Sequence, residues 1–148
     1  MQILHALKGG VTKGIASLSF SVSGQKLVAA CTDDSHTVAS FDLKTATLEA
    51  VEKGDTAIIS EVRFKDDREF VSVGPKHFKI WSVENKSIKS KKGIFNGGCN
   101  LLATCAFSND DCLVGAANGE LQIWKSGAMT KNFALHKGGI DALCIDVN

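Results

Sequence analysis

Three segments of the sequence repeat one pattern. Phe64 and Phe107 lie 43 residues apart, Trp81 and Trp124 lie 43 apart, and Phe20 and Phe41 mark an earlier, more degenerate copy of the pair. Each copy reads as an alternating apolar run ending in Phe, a polar turn, a short apolar run, a hairpin and an aromatic-ended strand. A module of four short strands cannot bury both of its faces alone, so it must stack on copies of itself. The chain is therefore a row of like units.

A period in the low forties with four strands per unit is the pattern of a WD40-type propeller blade, and it predicts an all-β propeller section of about three four-stranded antiparallel blades. The first blade, over about 14–53, is read as strands 15–20, 26–31, 37–42 and 47–51. The second, over 57–96, is read as 58–64, 69–73, 77–82 and 87–92. The third, over 100–136, is read as 101–107, 112–116, 120–124 and 130–135. Ser23-Gly24, Asp66-Asp67 and Gly74-Pro75 punctuate the runs. Asn118-Gly119 predicts a type I′ hairpin, which needs positive φ at both central residues. Two stray strands are expected at the ends, over 2–7 and 140–147. Closed propellers typically have four or more blades, so three blades with stray strands are expected either to belong to a larger ring or to self-associate through open ends.

Composition narrows the partners. Seventeen Lys and Arg against 16 Asp and Glu, with 44% apolar residues, describe a globular chain of net charge +1. It lacks the positive field of a nucleic-acid-binding domain. No apolar run reaches the roughly 18 residues needed to span a bilayer, and residues 1–10 have no signal-type core. The expectation is an intracellular protein without nucleic-acid or membrane partners. The five cysteines, Cys31, Cys99, Cys105, Cys112 and Cys144, show no paired ligand spacing and read as reduced residues, four of them within strands.

As generic WD40 repeats the blades are irregular. The WD dipeptide positions read Phe41-Asp42, Trp81-Ser82 and Trp124-Lys125, and no blade reads as holding the full Asp, His, Ser/Thr and Trp set that braces a standard blade. One subfamily fits better. The runs VGPKHFKIW (73–81), KKGIF (91–95), VGAANGELQIW (114–124) and LHKGGIDALC (135–144) stand in the order and spacing of the echinoderm microtubule-associated protein-like family, and GIASLSFS (14–21) with TDDSHTVASFD (32–42) fits its preceding blade. The sequence resembles the middle of that family's first propeller over nearly its whole length. The resemblance implies an atypical propeller on the cytoplasmic cytoskeleton that binds tubulin or microtubules. In the family it is usually preceded by a HELP-motif segment and often by a basic region with a trimerising coiled coil. The alternative is an adaptor for other proteins, such as kinases or ciliary components, without direct tubulin contact.

Candidate contact residues are basic. Lys76, His77 and Lys79 fall on a hairpin and the start of a strand, where their charges are expected at the rim. Lys86, Lys89, Lys91 and Lys92 form the most basic segment, on a blade's outer strand. Lysines there either guard a strand edge against aggregation or meet an acidic surface such as tubulin's tails. His77 as a metal ligand is disfavoured, because no second ligand stands at suitable spacing. Asp33-Asp34, Asp66-Asp67 and Asp110-Asp111 read as turn residues, since Asp side chains hydrogen-bond nearby backbone. The aromatic pairs Phe64/Trp81 and Phe107/Trp124 read as inter-blade core. Gly-rich phosphate loops, nucleophile elbows, HExxH and CxxC motifs are missing, so neither catalysis nor a cofactor is expected.

Overall fold

The computed structural model describes residues 6–145. Alternation of apolar and polar side chains, broken by Gly, Asp and Asn, produces twelve strands. Blade 1 holds β1 (Ile15–Phe20), β2 (Lys26–Cys31), β3 (Val38–Asp42) and β4 (Thr47–Glu52). Blade 2 holds β5 (Glu61–Phe64), β6 (Glu69–Gly74), β7 (His77–Glu84) and β8 (Ser87–Lys92). Blade 3 holds β9 (Leu102–Ser108), β10 (Asp111–Ala116), β11 (Glu120–Lys125) and β12 (Ala128–Ala134). Each blade is an antiparallel meander in chain order, as short hairpin connections require. The all-β blade architecture read from the repeat is the one observed.

Strand alternation sends each blade's two faces to different neighbours. Val28, Ala30, Val38 and Ala50 of blade 1 pack on Ile59, Val62, Phe64, Phe70, Trp81 and Val83 on the blade 2 side. The opposite face of blade 2, with Val71, Val73 and Phe78, packs on Leu102, Cys105, Val114 and Trp124 of blade 3. Phe70 stacks on Trp81 at 5.8 Å within blade 2, and Phe78 stacks on Trp124 at 4.0 Å across the blade 2–blade 3 junction. Stacked pairs of this kind add about 0.5–1.5 kcal/mol beyond the area they bury. The aromatic pairs behave as core with one exception: Phe107 is only partly buried.

Polar bonds fix how neighbouring blades sit. The Val62 and Phe64 N–H groups donate to Ser17 Oγ (3.1 Å) and Ser19 Oγ (3.0 Å), and Cys105 N–H donates to Glu61 Oε2 (2.7 Å). At the outer rim, Ile94 N–H donates to Gly127 O and Met129 N–H to Ile94 O, which forms a parallel bridge between the two blades. Two of the three acid pairs act as turn residues, whereas Asp111 opens β10, and Asp110 and Asp111 pair with Lys65 and Lys125. Asp33 Oδ1 accepts from Ser35 and Thr37 N–H, and Asp66 Oδ1 from Arg68 and Glu69 N–H.

Several details depart from the sequence reading. The Asn118-Gly119 turn is not type I′, because only Gly119 has positive φ (84°) and the loop spans three residues, closed by Gly119 N–H to Ala116 O. A Cβ on Gly119 would lie 1.9 Å from His136 O, so the crossing chain demands glycine there. The two-residue loops with both residues left-handed are Asn85-Lys86 (φ 49°, 61°) and Ser126-Gly127 (φ 50°, 86°). The strand expected from residue 58 starts at Glu61. Ile58 instead crosses over Gly74, where a Cβ would meet Ile58 O at 1.9 Å.

The expected terminal strands are also absent where they can be described. Residues 2–5 of the first lie outside the described residues; Ala6 and Leu7 are not strand, and Leu7 packs on the Ala29/Ala39/Phe41 cluster. Of the strand expected over 140–147, residues 140–145 form none, and 146–148 lie outside the described residues. Ile140 N–H donates to Ala116 O and its side chain lies over Gly115, but no neighbouring strand among the described residues offers a ladder. The end blades consequently expose apolar flanks: Leu18 and Phe20 (64% exposed) on blade 1 and Phe133 on blade 3. All five cysteines are free.

Trp124 is 1% exposed and is held between Phe78 and the edge of Phe95. Trp124→Ala should lower stability by about 3–5 kcal/mol, through lost burial and the cavity left behind. Urea unfolding of the two proteins measures it, and an unchanged midpoint would contradict the stacked-blade core.

Candidate functional site

The basic residues singled out in the sequence do not gather in one place. Lys76 is exposed in the hairpin between β6 and β7, where its left-handed φ (58°) follows Pro75. His77 and Lys79, expected at the rim, are buried instead (1% and 9% exposed). They belong to a brace inside blade 2, and neither presents a free surface to a partner.

That brace is a directed chain of hydrogen bonds. Trp81 Nε1–H donates to Ser72 Oγ (2.7 Å), Ser72 Oγ meets His77 Nε2 (2.6 Å), and His77 Nδ1 meets Asp55 Oδ2 (3.0 Å). With the imidazole proton on Nδ1, each donor faces an acceptor: indole to hydroxyl, hydroxyl to imidazole, imidazole to carboxylate. Lys79 Nζ donates to Gly54 O, approaches Asp55 Oδ2 at 3.4 Å and sits 5.2 Å from the centre of the Trp81 ring. Blade 2 therefore does hold an Asp, His, Ser and Trp set, contrary to the sequence reading. The sequence hid it because the histidine stands at the start of β7 and the aspartate in the connection entering the blade.

The matching positions of the other blades carry different chemistry. In blade 3, Trp124 Nε1–H donates to Gln122 Oε1 (3.0 Å), Gln122 Nε2–H donates to Cys99 O (2.6 Å), and Glu120 Oε2 accepts from Cys99 N–H (2.7 Å). Val114, opposite Gln122, replaces the serine that faces Lys79 in blade 2. In blade 1 the positions are Phe41, Ala29 and Ala39, with Leu7 and Val11 packed on them, and the brace is wholly apolar.

Burial pushes the His77 imidazole below its ordinary value, against the opposing pull of the Asp55 hydrogen bond. For Asp55, burial acts upward, but the His77 hydrogen bond, the Ala57 and Thr56 N–H groups and the Lys79 charge outweigh it and hold the carboxyl well below the usual range.

The remaining lysines are divided by strand geometry. Lys89 and Lys91 lie opposite Ser82 and Ile80, on the face of β8 that turns toward blade 3. Lys92 lies opposite Lys79 on the other face, and Lys86 occupies the β7–β8 turn. Lys89 and Lys91 border a cleft of about 570 Å³ between blades 2 and 3, with Ile80, Phe107, Cys112 and Trp124 among its apolar lining. At its edge Lys65 pairs with Asp110 (3.0 Å) and Glu69 (3.5 Å). Among the described residues no ion pair includes Lys89 or Lys91, and no three His, Cys, Asp or Glu side chains gather as a metal site. This cleft was invisible in the sequence, which reads Phe107 as core, whereas the structure leaves it partly exposed in the cleft lining.

No family model matches the chain. It is 28% identical to the 77 kDa echinoderm microtubule-associated protein of Strongylocentrotus purpuratus, across 98% of this chain and 23% of that protein. The sequence is similar to the echinoderm microtubule-associated proteins. Echinoderm microtubule-associated protein-like 1 of Homo sapiens is 26% identical over the same share of this chain and 19% of its own length. The ciliary WD repeat-containing protein ctxp80 of Euplotoides octocarinatus is 30% identical across 80% of this chain and 18% of that protein. The chain thus spans about a fifth of the length of the curated relatives it matches. In fold it resembles the computationally designed Ika4 protein, with a TM-score of 0.79 at 24% identity, covering all of this chain and 89% of Ika4. It also resembles the β-propeller domain of Myceliophteria thermophila Cps50 (Swd1), with a TM-score of 0.73 at 16% identity over 88% of this chain and 45% of that one. The fold is that of a β-propeller section.

Both shifts in the brace make blade 2 sensitive to acid. The unfolded chain protonates His77 more readily than the folded one, so its contribution falls as pH drops below about 6.5. The Asp55 contribution is present above about 3.9 and is lost as pH falls from there toward the folded value. The urea midpoint should decline from pH 7 to pH 5, and His77→Gln should flatten that decline. An equal slope in the variant would show that the brace does not titrate. Ser72→Ala, which strands both the indole N–H and His77 Nε2, should cost about 1–3 kcal/mol at neutral pH.

Proposed function

We propose that this chain is a section of a non-enzymatic, microtubule-associated propeller that acts by holding rigid surfaces toward tubulin. The observation that carries this reading is similarity to echinoderm microtubule-associated proteins over 98% of the sequence, with the blade fold alongside it. The reading puts the chain in the cytoplasm, on the cytoskeleton. Its contact residues are the exposed lysines: Lys89 and Lys91 at the cleft, Lys92 on the other face of β8, Lys86 in the β7–β8 turn and Lys76 in the β6–β7 hairpin. Exposed cations of this kind steer association with an acidic surface and lose their pull as salt screens them. The open flanks at Leu18, Phe20 and Phe133 are where further blades or a second copy would continue the ring.

The second reading, an adaptor without tubulin contact, draws on the ciliary WD repeat-containing relative. Microtubule co-pelleting separates the two. The first predicts saturable pelleting of the full chain that weakens as salt rises, and that falls strongly when Lys86, Lys89, Lys91 and Lys92 are all changed to Glu with the fold intact. Absence of pelleting at low salt would favour the adaptor, and undiminished pelleting by the charge-reversed protein would remove these lysines from the contact.

A further inference from the structure

We infer that the cleft between blades 2 and 3 is a docking groove for an acidic peptide segment carrying one bulky apolar side chain. This goes beyond the microtubule reading, because it assigns a class of ligand to a site in this chain and holds whether or not tubulin supplies that ligand. Its volume, about 570 Å³, falls within the range of about 300–1,000 Å³ in which proteins hold ligands. The lining combines an apolar patch of the partly exposed Ile80 and Phe107, floored by the buried Cys112 and Trp124, with Lys89 and Lys91 beside it.

Charge decides the occupant. The lining carries three lysines, Lys65, Lys89 and Lys91, against two acids, Glu69 and Asp110, a net charge of +1; both acids pair with Lys65 at the edge, and neither Lys89 nor Lys91 has an ion-pair partner among the described residues. The apolar surface therefore lies beside a net positive charge, with its two unpaired cations on the β8 side and the acids held at the opposite edge by Lys65. A neutral apolar segment would leave that charge unused, and a basic one would be repelled. An extended acidic segment satisfies both features: its carboxylates meet the two lysines while one large side chain covers the Phe107 patch. The site is also firm. The Ile94–Gly127 and Met129–Ile94 backbone bonds tie the outer rims of the two blades together beside it. A pre-formed groove of this kind does not spend binding energy on ordering itself.

The test uses the full chain and a fluorescent Glu-Glu-Phe-Glu-Glu peptide, read by anisotropy without microtubules present. Saturable binding that weakens with salt is expected, with at least about tenfold weaker binding when the central Phe is replaced by Ala. Lys89→Glu/Lys91→Glu should lose binding by about tenfold or more, whereas Lys86→Glu/Lys92→Glu, with the same charge change away from the cleft, should stay within about twofold. Ser82→Phe, which places a ring in the groove and leaves both lysines, should also abolish binding, with circular dichroism confirming the fold. Equal binding of the Phe and Ala peptides, equal loss in the two lysine pairs, or no binding at all would overturn the proposal. A chain that pellets with microtubules yet ignores the peptide would fail this inference and leave the proposed function standing. The converse result would do the reverse.

Discussion

Burial of one blade's aromatic residues against the next blade is the interaction on which the rest of this structure depends. Trp81 and Trp124 are almost wholly removed from solvent, and neither could be buried by a single four-stranded sheet. Full burial of a large apolar side chain stabilises by about 1.5–3 kcal/mol, so each junction recovers what an isolated blade leaves exposed. Blade 2, with neighbours on both sides, buries nearly every residue of β6. Blade 1, with a neighbour on one side, leaves Phe20 on its open flank.

Around that shared aromatic position, each blade solves the same problem differently. A buried indole N–H without an acceptor costs about 1–3 kcal/mol, so a tryptophan at this site imposes a polar partner. Ser72 fills that role in blade 2 and Gln122 in blade 3. Where Phe41 replaces tryptophan in blade 1, no donor needs satisfying, and alanines with Leu7 and Val11 suffice. Polarity at the neighbouring positions thus follows from one atom of the aromatic residue.

The same strand geometry shapes the outer surface. Alternation along β8 directs Ile88 into the core beside Val83 while Lys89 and Lys91 turn toward blade 3. A run of lysines that looks continuous in one dimension is therefore two faces and a turn in three. The cleft arises because blades 2 and 3 are tied at Ile94 and Gly127 near the rim and stacked at Phe78 and Trp124, but part again around Phe107.

The sequence by itself determined the blades. Period-two alternation, the 43-residue spacing of Phe and Trp and the turn residues are local signals, and most of the twelve strands lie within a residue or two of where they are read. It also carried the similarity to echinoderm microtubule-associated proteins, which spans 98% of the chain. Tertiary structure alone decided what His77 and Lys79 do, which face each lysine takes and where a groove opens. Asp55 reaches His77 from 22 positions away, Cys99 reaches Gln122 from 23, and Phe107 comes to line one cleft with the β8 lysines only after two blades have docked. Even turn type was settled at a distance, since His136 passing over Gly119 constrains a loop whose own residues favour another geometry. Local propensity fixes where the backbone pairs, but the partner of a buried polar side chain is fixed by whichever segment crosses above it, and that crossing exists only in the folded chain.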